Sequence, residues 1–369
     1  MAKSLSELPS GILSDILSRL PIKTIFVCRS VCKAFLDVTT SNPHFNSLHA
    51  PYTTHCLAIQ FDYSPMGSIY LVDSELDTSF SVGENVKLKT MFQIPRFPAK
   101  QFKKCSPSVQ DENKFILVNS CNGLLFFAEN SLCERSFVCN PITREYVTLL
   151  EFDEYNRHHS TMGYWFGFSP EENLYKEKPL SDNLSWQSSS AILSETICWL
   201  CGGYSESSKF IVYFDFHTEK FGEIPAPVGF RRNQLRQSTS IGVLGGYLCV
   251  IDDSRHFDIW IMKEFGCRES WTKAFSVDMK SIAGTYLHNP LRPLQILGDG
   301  KILMIRDYRV LVKFDPETKD FRFLKIKSAG SPDKVVLYTP SFVPLKDILM
   351  VDNLTVRNMN MSLLCKRIF

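Results

Sequence analysis

Four groups of residues in this 369-residue chain have types and spacings that could do chemistry. Cys198 and Cys201 form a Cys-x-x-Cys, a spacing used by zinc ligands and by dithiol redox sites. His158-His159 beside Arg157 offers two imidazoles to a metal. Asp252-Asp253 offers a carboxylate pair to a cation, and Arg231, Arg232 and Arg236 offer a basic cluster to an acidic segment. None has the company its chemistry needs. A zinc site takes four converging ligands, and no second Cys-x-x-Cys follows; in a strand, two cysteines three apart would also point to opposite faces. The histidines lie in a polar stretch that reads as a solvated loop. The aspartates lead out of an apolar run into Ser254-Arg255, as a turn does, and the arginines read as a solvated loop between strands. Cys28 and Cys32, four apart, could share a helical face. Glycine-rich phosphate loops, Gly-x-Ser-x-Gly and His-Glu-x-x-His are absent. The sequence therefore assigns no catalytic residue, no metal ligand and no cofactor, and the expected role is non-enzymatic binding.

Composition narrows the partners. With 41 basic against 39 acidic residues there is no electrostatic footprint for nucleic acid. No apolar run approaches the length of a membrane span, and Met1-Ala2-Lys3 is not followed by the apolar core of a signal peptide. The twelve cysteines have no framework spacing and read as small buried apolar groups in a reducing compartment. The expected address is cytoplasm or nucleus.

The first fifty residues have helical periodicity. Pro9 suits a first helical turn. Ile12, Leu13, Ile16, Leu17 and Leu20 recur at three- and four-residue steps, which predicts an apolar stripe on one helical face. Pro21 stops that run. A second short run holds Ile22, Ile25 and Phe26. A third holds Val31, Cys32, Phe35, Leu36 and Val38 and ends at Ser41-Asn42-Pro43. Three helices this short make a thin core, and a unit of this size usually needs a partner.

After residue 50 the pattern changes to short apolar or alternating runs rich in β-branched and aromatic residues, bounded by Asn-Gly, Gly-Gly and Asp-Gly. One hairpin recurs: strand, Asn or Asp, two residues, Thr, a charged pair, an aromatic, strand. Its copies are anchored at Asn140/Thr143, Asp215/Thr218 and Asp315/Thr318, so they lie 75 and 100 residues apart. The Asx side chain can bond the backbone two residues on and close the turn. Phe221 and Phe321 are expected to restart the next strand facing the core. Degenerate blades of about 40–50 residues would give such spacing, and the expected architecture is a β-propeller. In Phe257-Asp258-Ile259-Trp260-Ile261-Met262, the residues Phe257, Ile259 and Ile261 should share one face and Asp258, Trp260 and Met262 the other. Trp260 and Trp271 are then expected in inter-blade core, the alternative being target anchors.

Together these strings resemble a known family. Leu8-Pro9, Ile12 through Pro21, Val31-Cys32-Lys33-Ala34-Phe35 and Asn42-Pro43-His44-Phe45 are similar to an F-box, the helical module that docks on a Skp-family adaptor. The family usually has Trp where Phe35 stands, Glu at Asp15 and Arg at Val27. Asn119 to Leu125, Gly167-Phe168-Ser169-Pro170, Gly245-Gly246-Tyr247-Leu248 and the long string Phe257 to Gly266 leading to Glu269-Ser270-Trp271 resemble the plant F-box-associated, kelch-like domain. The family has a further strand pair after Lys176; here the chain runs through a polar stretch to Trp186, so either one blade is short or the chain descends from a truncated gene.

The resemblance implies an all-α, three-helix F-box over 1–45 and an all-β, propeller-like substrate-binding domain over 46–369. It implies docking through Leu8, Pro9, Ile12, Ile16, Leu20, Pro21, Ile25, Val31, Cys32 and Phe35, which supply the adaptor interface and the small core behind it. The partners implied are a Skp-family adaptor, through it a cullin, and an unidentified target protein bound for ubiquitination. The alternative is a propeller acting outside the ligase, lectin-like or as a scaffold. On this reading the helices are separable, and removing 1–45 leaves a folded propeller.

Overall fold

The computed structural model describes residues 8–42, 44–61, 69–73, 85–86, 90–94, 115–129, 136–149, 164–169, 174–179, 190–193, 195–200, 211–228, 230, 239–253, 256–278, 290–306, 310–326, 332–345 and 357–358. It opens with α1 (Ser10–Ser18), α2 (Ile22–Val31) and α3 (Lys33–Ser41). A fourth short helix, α4 (Phe45–His49), and a 3-10 turn at Ala50–Tyr52 lead into the strands. Pro9 and Pro21 stand just before α1 and α2, with φ near −55° and no N–H to leave unpaired. Cys32 is extended (φ −152°, ψ 158°) and separates α2 from α3. Cys28 and Cys32 therefore do not share a helical face.

The strands form five blades and one two-stranded sheet. Blade 1 takes β1 (Cys56–Phe61), β2 (Ile69–Asp73) and β4 (Thr90–Ile94), with β3 (Asn85–Val86) between them in the chain. Blade 2 is β5 (Phe115–Cys121), β6 (Leu124–Glu129), β7 (Ser136–Asn140) and β8 (Glu145–Thr148). A hairpin of β9 (Tyr164–Ser169) and β10 (Leu174–Pro179) follows. Blade 3 is β11 (Ser190–Leu193), β12 (Thr196–Leu200), β13 (Ile211–Asp215) and β14 (Lys220–Ile224). Blade 4 is β15 (Thr239–Leu244), β16 (Tyr247–Asp252), β17 (His256–Met262) and β18 (Trp271–Asp278). Blade 5 is β19 (Arg292–Ile296), β20 (Ile302–Arg306), β21 (Val310–Phe314) and β22 (Phe321–Ile326), edged by β3. Then β23 (Pro332–Tyr338) returns to blade 1 and β24 (Arg357–Asn358) edges blade 2. The ring closes where β23 pairs antiparallel with β1, Cys56 opposite Tyr338.

Each junction in the ring has its own apolar core. Leu57, Ile59 and Val72 meet Leu303, Ile305 and Leu311 between blades 1 and 5. The faces of β17 divide as the alternation predicts. Phe257, Ile259 and Ile261 pack toward blade 5, while Trp260 and Met262 join Trp271 in the core shared with blade 3. Both tryptophans are thus inter-blade packing, and the Trp271 indole donates to the Pro225 carbonyl at 3.0 Å. Among the described residues, the sheet between blades 2 and 3 is the two-stranded hairpin β9–β10. Its Phe166 packs with Phe126 of blade 2, rings stacked at 5.4 Å. On its other side, Phe216 of blade 3 lies so close that a Cβ at Gly167 would fall 1.8 Å from the ring.

The recurring hairpin turns are built as the sequence implies. Asn140 Oδ1 accepts from the N–H groups of Ile142 and Thr143 at 2.8 and 3.3 Å. Asp215 Oδ1 accepts from His217 and Thr218 at 2.9 and 2.8 Å, and Asp315 Oδ1 from Glu317 and Thr318 at 3.0 and 3.3 Å. The residue closing each turn is left-handed: Arg144, Glu219 and Lys319 have φ of 66°, 54° and 61°. The aromatic that follows has a different fate in each blade. Tyr146 is buried, Phe321 half-buried, and Phe221 exposed on the outer strand. The expectation that Phe221 and Phe321 face the core is corrected for Phe221, because no described residue covers the outer edge of blade 3 there.

Tyr146 is buried because helices cover its blade. Leu13, Leu17, Ile22, Ile25, Val38 and Phe45 form one continuous cluster with Cys56, Ala58 and Leu71 of blade 1 and Leu125, Phe137, Cys139 and Tyr146 of blade 2. The helices are therefore not a separable cap. A chain beginning after Tyr52 would expose this cluster to water. Such a truncation is expected to be recovered as aggregate, or to melt well below the full chain. A soluble truncated propeller with an unchanged melting temperature would show the shared core to be dispensable.

Candidate functional site

The site with a legible purpose is the helical unit and the joint that holds it. Helix α1 commits one face inward: Leu13 and Leu17 are 4% and 3% exposed, and Ser14 and Ser18 are buried beside them. The Ser14 hydroxyl accepts from Asn42 Nδ2 at 2.8 Å, and the Ser18 carbonyl lies 2.7 Å from His49 Nδ1. These small polar residues bring α1 close to its neighbours and turn it, so the predicted stripe is split. Ile12 and Ile16 point outward at 50% and 41% exposure. Val31, at the end of α2, is 68% exposed, whereas Ile25 is wholly buried.

Of the ten residues assigned to docking, Pro9, Ile12, Ile16, Pro21 and Val31 lie on the surface. Leu8, Leu20, Cys32 and Phe35 are half-buried, and Ile25 belongs to the core. Val27 and Leu36 add exposed apolar surface that the motif reading did not assign; their lack of any inward partner is visible only once the helices are packed. The Asp15–Arg19 pair on α1 is exposed on both sides and contributes little to stability.

The joint fixes these helices to the propeller through the segment just after β23. The Phe342 ring lies edge-on to Phe45 and His49 at 5.4 Å, and 6.2 Å from Phe26. Asn46 Oδ1 accepts from the Phe342 N–H and the Ser341 hydroxyl, both at 3.0 Å. The Tyr338 hydroxyl donates to the Gly123 carbonyl at 3.0 Å. Gly123 has φ +83°, and a Cβ there would lie 2.1 Å from Ser341 Cβ, so both backbone and packing require glycine. Asn140 Nδ2 donates to the carbonyls of Ser341 and Val343 at 3.0 and 2.8 Å. This explains why the hairpin motif has Asn here and Asp in blades 3 and 5. The turn needs only an acceptor, but the joint also needs a donor.

The other groups with chemical potential do not assemble. Among the described residues no three His, Cys, Asp or Glu side chains could share a metal ion. The Cys198 thiol is buried and pushed up to about 12 by that burial, which opposes thiolate formation. Asp253 is buried too, its carboxyl raised by burial to about 7, and it accepts from the Leu291 N–H at 3.3 Å. His158, His159, Cys201, Arg231, Arg232 and Arg236 lie outside the described residues. No helix among the described residues is long and apolar enough to cross a membrane.

The structure thus joins a helical unit to a propeller, and comparison with known proteins shows what each part resembles. A model of the F-box domain matches residues 5–46, and a model of the F-box associated beta propeller domain matches residues 168–345. The chain is 26% identical to F-box protein At3g07870 of Arabidopsis thaliana, over 87% of this chain and 88% of that one. It is 23% identical to the F-box/kelch-repeat protein At3g23880 of the same plant, over 93% and 97%. F-box protein CPR1, also from that plant, is 34% identical over 36% of this chain and 32% of its own. Among solved structures, YCF48 from Cyanidioschyzon merolae covers 77% of this chain and 95% of its own at 10% identity and a TM-score of 0.38. The chain thus carries an F-box domain followed by an F-box associated β-propeller domain.

Two measurements test the joint. Asn140→Asp leaves the turn acceptor in place but sets a carboxylate against two carbonyls, at an expected cost of about 3 kcal/mol. Asp215→Asn, in an equivalent turn with no second role, is expected to cost less than about 1 kcal/mol. Equal losses in chemical denaturation would remove the special role of Asn140. The second concerns His49, whose Nε2 is buried with no hydrogen-bond partner. Burial lowers its pKa, against the opposing effect of the Ser18 carbonyl. The unfolded histidine protonates near pH 6.5, so below that value the unfolded state binds more protons and stability falls with pH. Melting temperature should drop on acidification below about pH 6.5, and less steeply in His49→Gln. Parallel curves for the two proteins would place the acid sensitivity elsewhere.

Proposed function

We propose that this chain is a substrate-recognition subunit of a Skp–cullin–F-box ubiquitin ligase, acting in the cytoplasm or nucleus. Residues 1–45 hold a Skp-family adaptor, and through it a cullin; residues 46–369 hold a target protein. The observation that carries the reading is the division of the helical apolar residues. Leu13, Leu17 and Ile25 satisfy the chain's own core, while Ile12, Ile16 and Val31 remain on the surface beside exposed Pro9 and Pro21. Large aliphatic side chains left outside a filled core mark an interaction surface. The chain contributes proximity and orientation, while a separate enzyme transfers ubiquitin to a target held at high effective concentration.

On the propeller, first-to-second and third-to-fourth strand turns share one end, the end on which the helices sit. Away from the helices, that end also exposes Phe221, Tyr247, Phe265 and Ile296 on blades 3, 4 and 5. Exposed aromatics of this kind suit partner anchoring, and we assign them as candidate target contacts.

The test is co-expression of the full chain with a Skp-family adaptor. Ile16→Asp and Val31→Asp place a charge in the assigned interface without touching the core. Adaptor recovery is expected to fall about tenfold or more, while melting temperature stays within the range of ordinary surface substitutions. Recovery at the wild-type level in both variants would exclude this docking surface.

A further inference from the structure

The joint between helices and propeller holds two arginines with no carboxylate partner among the described residues. Arg29 of α2 places its guanidinium carbon 5.3 Å from the centre of the Phe26 ring and 5.7 Å from that of Phe342. Arg144, in the turn between β7 and β8, places its own 6.0 Å from the same Phe26 ring. Both side chains are half-buried. Arg29 Nη1 is wholly buried without a hydrogen-bond partner. Among the described residues no carboxylate pairs with either guanidinium. Glu145, next in sequence to Arg144, is already engaged with the Thr143 hydroxyl at 2.9 Å and the Leu345 N–H at 2.7 Å.

Arg29 cannot escape by losing its proton, since guanidinium stays charged throughout the accessible pH range. Burial, and then the nearby charge of Arg144, lowers the pKa of Arg29, so holding this charge costs free energy in the unliganded chain. The two aromatic rings offset part of that cost. Among the described residues neither planar fork makes a side-chain hydrogen bond, and such forks match phosphate oxygens. Arg144 is also held in place: its φ is +66°, and its N–H closes the turn on the Asn140 carbonyl at 2.9 Å.

We propose that the two guanidiniums beside Phe26, from α2 and the β7–β8 turn, form a phosphate-binding site, and that its occupant fastens the helices to the propeller. The occupant is free phosphate or a phosphate-bearing small molecule. This proposal stands independently of the ligase reading.

The test is thermal melting of the full chain in phosphate-free buffer, with inorganic phosphate, inorganic pyrophosphate or sodium chloride added at matched ionic strength. Saturating phosphate is expected to raise the melting temperature by about 2 °C or more, and sodium chloride is not. Arg29→Met keeps an apolar stem against the rings, and Arg144→Asn keeps a residue that tolerates the left-handed turn. Each should abolish the phosphate response, and Arg29→Met should melt no lower than wild type in phosphate-free buffer. A larger response to pyrophosphate than to phosphate identifies a phosphate-bearing molecule as the occupant; an equal response identifies free phosphate. The site is refuted by no response in the wild type, by an equal response to sodium chloride, or by an undiminished response in either variant.

Discussion

The apolar cluster between blades 1 and 2 is the constraint on which the rest of the molecule depends. It is filled from three directions: the inner strands of two blades, the helices, and Phe342 just past β23. The same few residues that close the ring also seat the helices. β23 pairs with β1, Tyr338 reaches blade 2, and Ser341 and Phe342 take Asn46. Ring closure and helix docking are therefore one packing event. Three nine- or ten-residue helices and a short fourth could not bury enough surface alone. They are stable here because the propeller supplies the other half of their core.

That shared core is also what frees a surface. In a self-sufficient helical bundle, a run such as Ile12, Leu13, Ile16, Leu17 would all be drawn inward. Here the interior is already occupied by propeller aromatics, and α1 needs to contribute only Leu13 and Leu17. Ser14 and Ser18, small and hydrogen-bonded, occupy the rest of its inner face. The outward isoleucines follow from the packing of the joint as much as from the helix itself.

What could be read from the chain was what is local. Alternation in Phe257 to Met262 places each side chain against its correct neighbour because a strand between two blades sorts residues by parity alone. The Asx turns at Asn140, Asp215 and Asp315 were legible because the bonds that close them span only two or three residues. The periodicity of α1 gave a helix but not its rotation, since the bonds that bury Ser14 and Ser18 come from Asn42, just after α3, and from His49 of α4. Tyr146, Phe221 and Phe321 occupy one motif position with three degrees of burial. The difference comes from what covers each blade, and that is fixed by residues far away in the chain. The pairing of Arg29 with Arg144 around Phe26, and the donor role that distinguishes Asn140 from Asp215, are long-range in the same sense.

The sheet described between blades 2 and 3, two strands where the others have four or five, shows why such a ring can carry irregularity. Each sheet packs mainly on its two neighbours, so a deficit at one position weakens two junctions rather than the whole fold, much as in repeat proteins. The hairpin β9–β10 borders blades 2 and 3, and both junctions are held by aromatic contacts: Phe126 against Phe166, and Phe216 over Gly167. The core cluster on the blade 3 side is small, whereas the cluster under the helices is the most extensive described. The helices thus rest at the most extensive described cluster, and the exposed apolar side chains of blades 3 to 5 are tied to it in one direction through the hairpin β9–β10. In the other they are tied through the junction of blades 5 and 1, where Leu57 and Ile59 pack on Leu303 and Leu311.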